Sequence, residues 1–61
     1  MGNYYTMKDV CNITNKGYNT IYTYITKKRL VPEQRAGGIL YFSEDEVERF
    51  LYNYFPKCKL H

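Results

Sequence analysis

Cysteine, histidine and long apolar runs are all scarce in this chain, and each scarcity removes a class of function. Two cysteines, Cys11 and Cys58, are too few for a disulfide scaffold. The one histidine, His61, is the last residue. Together these give three candidate metal ligands where a structural zinc site needs four, so no metal and no cofactor is expected. Phosphate-binding glycine loops, nucleophile elbows and paired-histidine metal motifs are missing, so no catalytic residue and no enzyme activity is expected. No apolar run approaches the roughly 20 residues that cross a bilayer, and Met1-Gly2-Asn3 shows no secretory pattern. The expectation is a soluble, cytoplasmic chain with reduced thiols and no membrane partner. Asn12-Ile13-Thr14 matches a glycosylation sequon, which in that compartment is a chance match.

What is present fits in 61 residues, room for one domain over 1–61. A domain this small buries a modest share of its surface and often leans on a partner. Nine Lys and Arg against six Asp and Glu leave a net charge of +3, which permits nucleic-acid binding without demanding it. The distribution says more than the sum. Acids gather in Ser43-Glu44-Asp45-Glu46-Val47-Glu48, whereas Lys27-Lys28-Arg29 and Arg35 lie mid-chain, so a basic surface is set apart from an acidic one. Eight of the eleven aromatics are tyrosines, suited both to core volume with a wet end and to contact surfaces.

Turn signals cut the chain into three helices and one hairpin. Thr6 reads as the N-cap of the first helix, with Asp9 completing a capping box and Tyr5 and Val10 at the staple positions. Met7, Val10 and Cys11 form its apolar stripe, Cys11 filling a small core position. Asn15-Lys16-Gly17 stops it, with Gly17 free to take a positive φ. A second helix is predicted from a cap near Asn19 to about Lys28. Its Thr and Tyr content gives it poor intrinsic propensity, so packing must hold it. Ile21 and Ile25 share one face with Tyr24 beside them, while Asn19, Thr23 and Thr26 lie opposite, flanked by Tyr22 and Lys27. Leu30-Val31-Pro32 leaves that helix extended. Arg35 to Phe42 reads as a hairpin turning at Gly37-Gly38. The third helix opens with a capping box of Ser43 and Glu46 and a staple of Phe42 and Val47. Val47, Phe50, Leu51 and Tyr54 follow the helical repeat, and Pro56 ends it. The ordered part is expected over about 4–55, with 56–61 a tail, frayed from Lys57.

The predicted fold class is therefore mainly α with a small β-hairpin: helix, turn, helix, hairpin wing, helix. Residues Tyr5 to Leu51 resemble the excisionase-type and MerR-type DNA-binding domains, including the small AlpA-like phage regulators. The resemblance is carried by Tyr5-Thr6-Met7-Lys8-Asp9-Val10-Cys11, Thr20-Ile21-Tyr22-Thr23-Tyr24-Ile25, Leu30-Val31-Pro32, Arg35-Ala36-Gly37-Gly38 and Tyr41-Phe42-Ser43 through Leu51. It implies a compact winged helix-turn-helix, with the second helix in the major groove and the hairpin along the backbone or minor groove. It also implies transcription regulators or recombination directionality factors, many from mobile elements and often acting as dimers or arrays on DNA. Two positions depart from the family: Tyr22 stands where Arg or another strong DNA contact is common, and the turn between the first two helices is about one residue longer.

Candidate contacts follow. Asn19, Thr23 and Thr26 are suited to base edges, Asn to adenine above all. Tyr22 is suited to a thymine methyl, an unpaired base or a protein interface. Lys27, Lys28 and, in the turn, Lys16 are phosphate candidates. Arg35 near the wing turn is placed for a phosphate or a narrow minor groove. Each also has a plain reading as an ordinary solvent-facing side chain, which wing placement disfavours for Arg35. Two functions remain open. One is a sequence-specific binder of double-stranded DNA, an excisionase or a small regulator, self-associating on repeated sites and recruiting an integrase or polymerase. The other is an accessory subunit of a recombinase, polymerase or other mobile-element enzyme that keeps the fold without reading duplex DNA. The modest charge, Tyr22 and the tyrosine load motivate the second, and Tyr52, expected on the outer face of the third helix, also invites an interface.

Overall fold

A computed structural model of the chain describes residues 3–58. Its elements in chain order are β1 (Tyr4–Thr6), α1 (Met7–Thr14), α2 (Tyr18–Thr26), β2 (Gln34–Ala36), β3 (Ile39–Ser43) and α3 (Glu44–Tyr54). The winged helix-turn-helix expected from the sequence is present, with one strand more than expected.

That strand is β1. It pairs antiparallel with β3, Tyr4 opposite Ser43, Tyr5 opposite Phe42 and Thr6 opposite Tyr41, giving a three-stranded sheet in the order β1-β3-β2. The sequence reading stopped at the helix cap and missed it. Without β1 the outer edge of β3 would leave backbone donors and acceptors unpaired next to the core. On the other side, Arg35 faces Leu40 and Ala36 faces Ile39. Gly37 (φ 58°) and Gly38 (φ 79°) connect the two strands. A two-residue turn with positive φ at both positions matches the twist of a hairpin, and glycine adopts it without steric cost.

Helix α1 is locally specified at both ends. Thr6 Oγ1 accepts the Asp9 N–H at 3.2 Å, and Asp9 Oδ2 accepts the Thr6 N–H at 3.0 Å. Asn15 closes the helix in the left-handed region at φ 58°. Gly17, expected to take that role, instead has φ −79° and is the N-cap of α2. Asn is the side-chain-bearing residue best able to occupy that region, so the stop came from Asn15. The cap of α2 thus falls upstream of Asn19, and Asn19 sits inside the first turn. Nor does α2 reach Lys28: Lys27 is its C-cap, and Lys28 turns the chain at φ 62°.

The core comprises Val10, Cys11, Ile21, Leu30, Phe42, Val47, Phe50 and Leu51, with Tyr5, Met7, Tyr24, Ile25 and Tyr54 packed against it. Tyr24 anchors α2. Its ring lies 5.1 Å from those of Phe50 and Tyr54 and 5.8 Å from Phe55. Such pairs contribute roughly 0.5–1.5 kcal/mol each beyond area burial, which offsets the poor propensity of the helix. Burial also raises the Cys11 thiol pKa, as suits a core side chain and not a nucleophile.

At α3, Ser43 Oγ accepts the Glu46 N–H at 3.2 Å, but the expected return bond from Glu46 to Ser43 is not made. Ser43 is already the last residue of β3, opposite Tyr4. The Glu46 carboxylate accepts the Val31 N–H at 3.0 Å instead, and pairs with Arg49. Arg49 also donates to the Arg29 carbonyl at 3.4 Å. This latch ties the segment between α2 and the wing to α3. Of the expected tail, Cys58 donates its N–H to the Phe55 carbonyl at 2.9 Å and packs half-buried on the core. His61 lies outside the described residues. Among the described residues, no helix is long and apolar enough to cross a membrane.

Candidate nucleic-acid interface

Helix α2 buries Ile21 and presents Tyr18, Asn19, Tyr22, Thr23 and Thr26 to solvent. The reason is phase: at about 100° per residue, Asn19, Thr23 and Thr26 point away from Ile21 and Ile25. Tyr22 and Lys27 border this strip on opposite sides. Tyr22 is 58 % exposed and Tyr18 55 %, a high exposure for large rings in so small a domain.

A hollow flanks each border. On the Tyr22 side a hollow of about 620 Å³ lies between α2, the start of α1 and the wing, and brings Asn19 and Tyr22 together with Arg35, Lys8, Tyr18 and Ile39. On the Lys27 side a second hollow of about 520 Å³ joins Thr23 and Lys27 to Thr20, Arg29 and Tyr54. Of the expected residues, Asn19, Tyr22 and Arg35 thus share one hollow and Thr23 and Lys27 the other, while Thr26 is exposed between them and lines neither. Lys16, in the turn after α1, and Lys28, beyond the end of α2, are both exposed, but they line neither hollow.

Charge divides along the same line. The two hollows beside α2 contain cations only: Lys8 and Arg35 in one, Lys27 and Arg29 in the other. Two hollows beside β1 contain acids only: Asp9 in one, and Glu33, Glu44 and Asp45 in the other. On that acidic side Tyr4 donates its hydroxyl to Glu33 at 2.7 Å, and the hydrogen bond and negative charge of Glu33 raise the Tyr4 pKa. The cations and the acids that line these hollows therefore keep to separate surfaces, as the sequence distribution leads one to expect. A polyanion would meet α2 and the wing and be repelled from β1 and the start of α3.

Thr23 has a further constraint. Its Oγ1 donates to the Asn19 carbonyl at 2.9 Å, so the hydroxyl proton is committed to the helix backbone. Thr26 has no such bond to its own helix among the side-chain hydrogen bonds of the described residues.

Sequence reasoning missed Lys8, Tyr18 and Ile39 as members of this surface, and placed Arg29 on the basic side without making it a contact candidate. Lys8 carried a readable signal. It lies in the first turn of α1, where the helix dipole disfavours a cation. A residue placed against local stability points to a use elsewhere. Tyr18 and Ile39 had no such mark: their placement depends on how the hairpin packs beside α2.

A family model described as a helix-turn-helix domain matches residues 4–53, from β1 to within the last turn of α3. No curated protein matches the chain, and no solved structure does.

Proposed function

Because the chain belongs to the helix-turn-helix domain family, of the excisionase- and AlpA-like DNA-binding type, we propose that it is a sequence-specific binder of double-stranded DNA from a phage or other mobile element. It acts as an excisionase or as a transcription regulator. One observation supports this reading above the others: an uncharged, polar strip on α2 is bracketed by cations on both sides, and no acid lines either of the hollows that flank it.

That arrangement suits a duplex. The strip enters the major groove, with its N-terminal residues against base edges. Lys8 and Arg35 meet the backbone on the wing side, and Lys27 and Arg29 meet it on the other. Lys16 and Lys28 add weaker phosphate contacts. Phosphate contacts position the module and carry most of its affinity. One such module covers few base pairs, so useful affinity requires neighbouring copies or a larger partner. Tyr52, 80 % exposed on α3 and outside both hollows, offers a contact for a second copy, a recombinase or another mobile-element enzyme.

Fluorescence anisotropy against duplex and single-stranded DNA across a salt series tests the proposal. Four principal phosphate contacts predict a slope of log affinity against log salt of about −3.6 on duplex. Arg35→Ala with Lys27→Ala flattens that slope by about 2. Undetectable duplex binding at low salt by the folded protein defeats the proposal and leaves the accessory-subunit reading, for which Tyr52→Ala and Tyr22→Ala are the variants that break a partner complex.

A further inference from the structure

The outward face of α2 is marked by what it omits. From Tyr18 to Thr26 the helix carries no Arg, Lys, Asp or Glu. In the major groove, guanine is read mainly by Arg or Lys placed on O6 and N7, and the cytosine amino group by Asp or Glu. Neither kind of reader is on this helix. Lys27 comes only at the C-cap, about 12 Å along the axis from Asn19, whereas base edges are met by the N-terminal part of such a helix.

What the face does offer matches the other base pair. The Asn19 amide fits adenine N6 and N7 together. Thr23 has its hydroxyl proton bound to the Asn19 carbonyl, so it presents a methyl group and acceptor lone pairs outward. Tyr22 adds a largely exposed ring beside it. A methyl and an aromatic face are partners for the thymine C5 methyl, the one apolar group that the major groove displays.

We infer that α2 selects A·T base pairs in the major groove, Asn19 reading adenine while Thr23 and Tyr22 read thymine methyls. This rests on the duplex-binding reading above and names the DNA it prefers. Arg35 in a narrow minor groove would also favour A·T tracts, so the test must separate the two grooves. Replacing thymine by deoxyuridine does so. It deletes the major-groove methyl and leaves the minor-groove acceptors as they were.

The experiment uses the full chain. Binding sites are selected from a random-sequence duplex pool, and each thymine of the preferred site is then replaced singly by deoxyuridine. Affinity is read by anisotropy at fixed salt, for the wild type, Thr23→Ser and Thr23→Val. The expected site has A·T pairs at its core, and at one or two thymines deoxyuridine weakens binding about four-fold, the loss of one buried methyl. Thr23→Ser, which keeps the hydroxyl and removes the methyl, abolishes the penalty at one of those positions. Thr23→Val retains it. A selected core of G·C pairs overturns the inference, as does a deoxyuridine penalty of zero throughout. Salt-dependent duplex binding without base preference also overturns it, while leaving the duplex-binding reading in place. Absence of duplex binding removes both.

Discussion

The two helices of the helix-turn-helix unit are held in opposite ways. Helix α1 closes both its ends from its own sequence, by the Thr6–Asp9 box and by Asn15 in the left-handed region. Helix α2 has no side-chain cap at Gly17 and one fully buried residue, Ile21. It is held from outside, by Tyr24 against the rings of α3 and its C-cap. The difference teaches where contact residues can sit. A helix stabilised by its neighbours need not spend its exposed positions on helix formers or caps. Those positions carry Tyr, Asn and Thr, which are poor for the helix and good for a nucleic acid.

Breaking the external support has the largest expected effect. Phe50→Ala removes the fully buried ring beneath Tyr24 and should cost about 3–5 kcal/mol, enough to unfold so small a domain. Thermal melting followed by circular dichroism would show it, and a cooperative melt near the wild-type midpoint would refute the external-support account. Breaking the internal support is milder. Thr6→Ala deletes one half of the capping box and should lower stability by about 1 kcal/mol, measured by urea denaturation.

Two further changes sharpen the contrast by improving stability. Lys8→Glu places an acid where the α1 dipole favours one and should add about 0.3–1 kcal/mol. The same variant should bind duplex DNA more weakly, with a salt slope shallower by about 1. Stability and binding moving together in either direction would mean that Lys8 is not held in place for contact. Gly17→Ser supplies the cap that α2 lacks. A Cβ at Gly17 meets nothing within 4 Å and its φ is ordinary, so a gain of a few tenths of a kcal/mol is expected in the same denaturation assay. A loss would mean that α2 already has its support from Gly17.

Most of the fold was legible because its signals are local. The Thr6 cap, the Gly37-Gly38 turn, the stripe of α3 and the inward face of α2 each lie within a few residues of chain. What escaped depends on partners distant in sequence. Three residues, Tyr4 to Thr6, are too few to show a strand period, and only β3 makes them one. Glu46 matched the box pattern, yet Val31 and Arg49 hold its carboxylate. Asn15 took the left-handed stop expected of Gly17, and Gly17 the cap expected near Asn19, because these turn residues suit either place. The site divides the same way. Asn19, Tyr22, Thr23, Thr26 and Lys27 were placed on an exposed face by helical phase alone. That Arg35 shares a hollow with Tyr22, and that Lys8, Tyr18 and Ile39 join it, required the packing of the wing beside α2.

The β1–β3 pairing also fixes an order of events in time. Helix α1 and the β2–β3 hairpin close short loops, and such elements form within microseconds. Joining Thr6 to Tyr41 must close more than half of the chain, at a larger entropic cost. The first strand is therefore expected to dock late in folding and to open before the rest of the sheet. Its amides should exchange with solvent through small openings that leave α2 and the wing intact. A chain tethered to another protein through its N-terminus would feel a pull at β1 before any pull reached the surface that grips DNA.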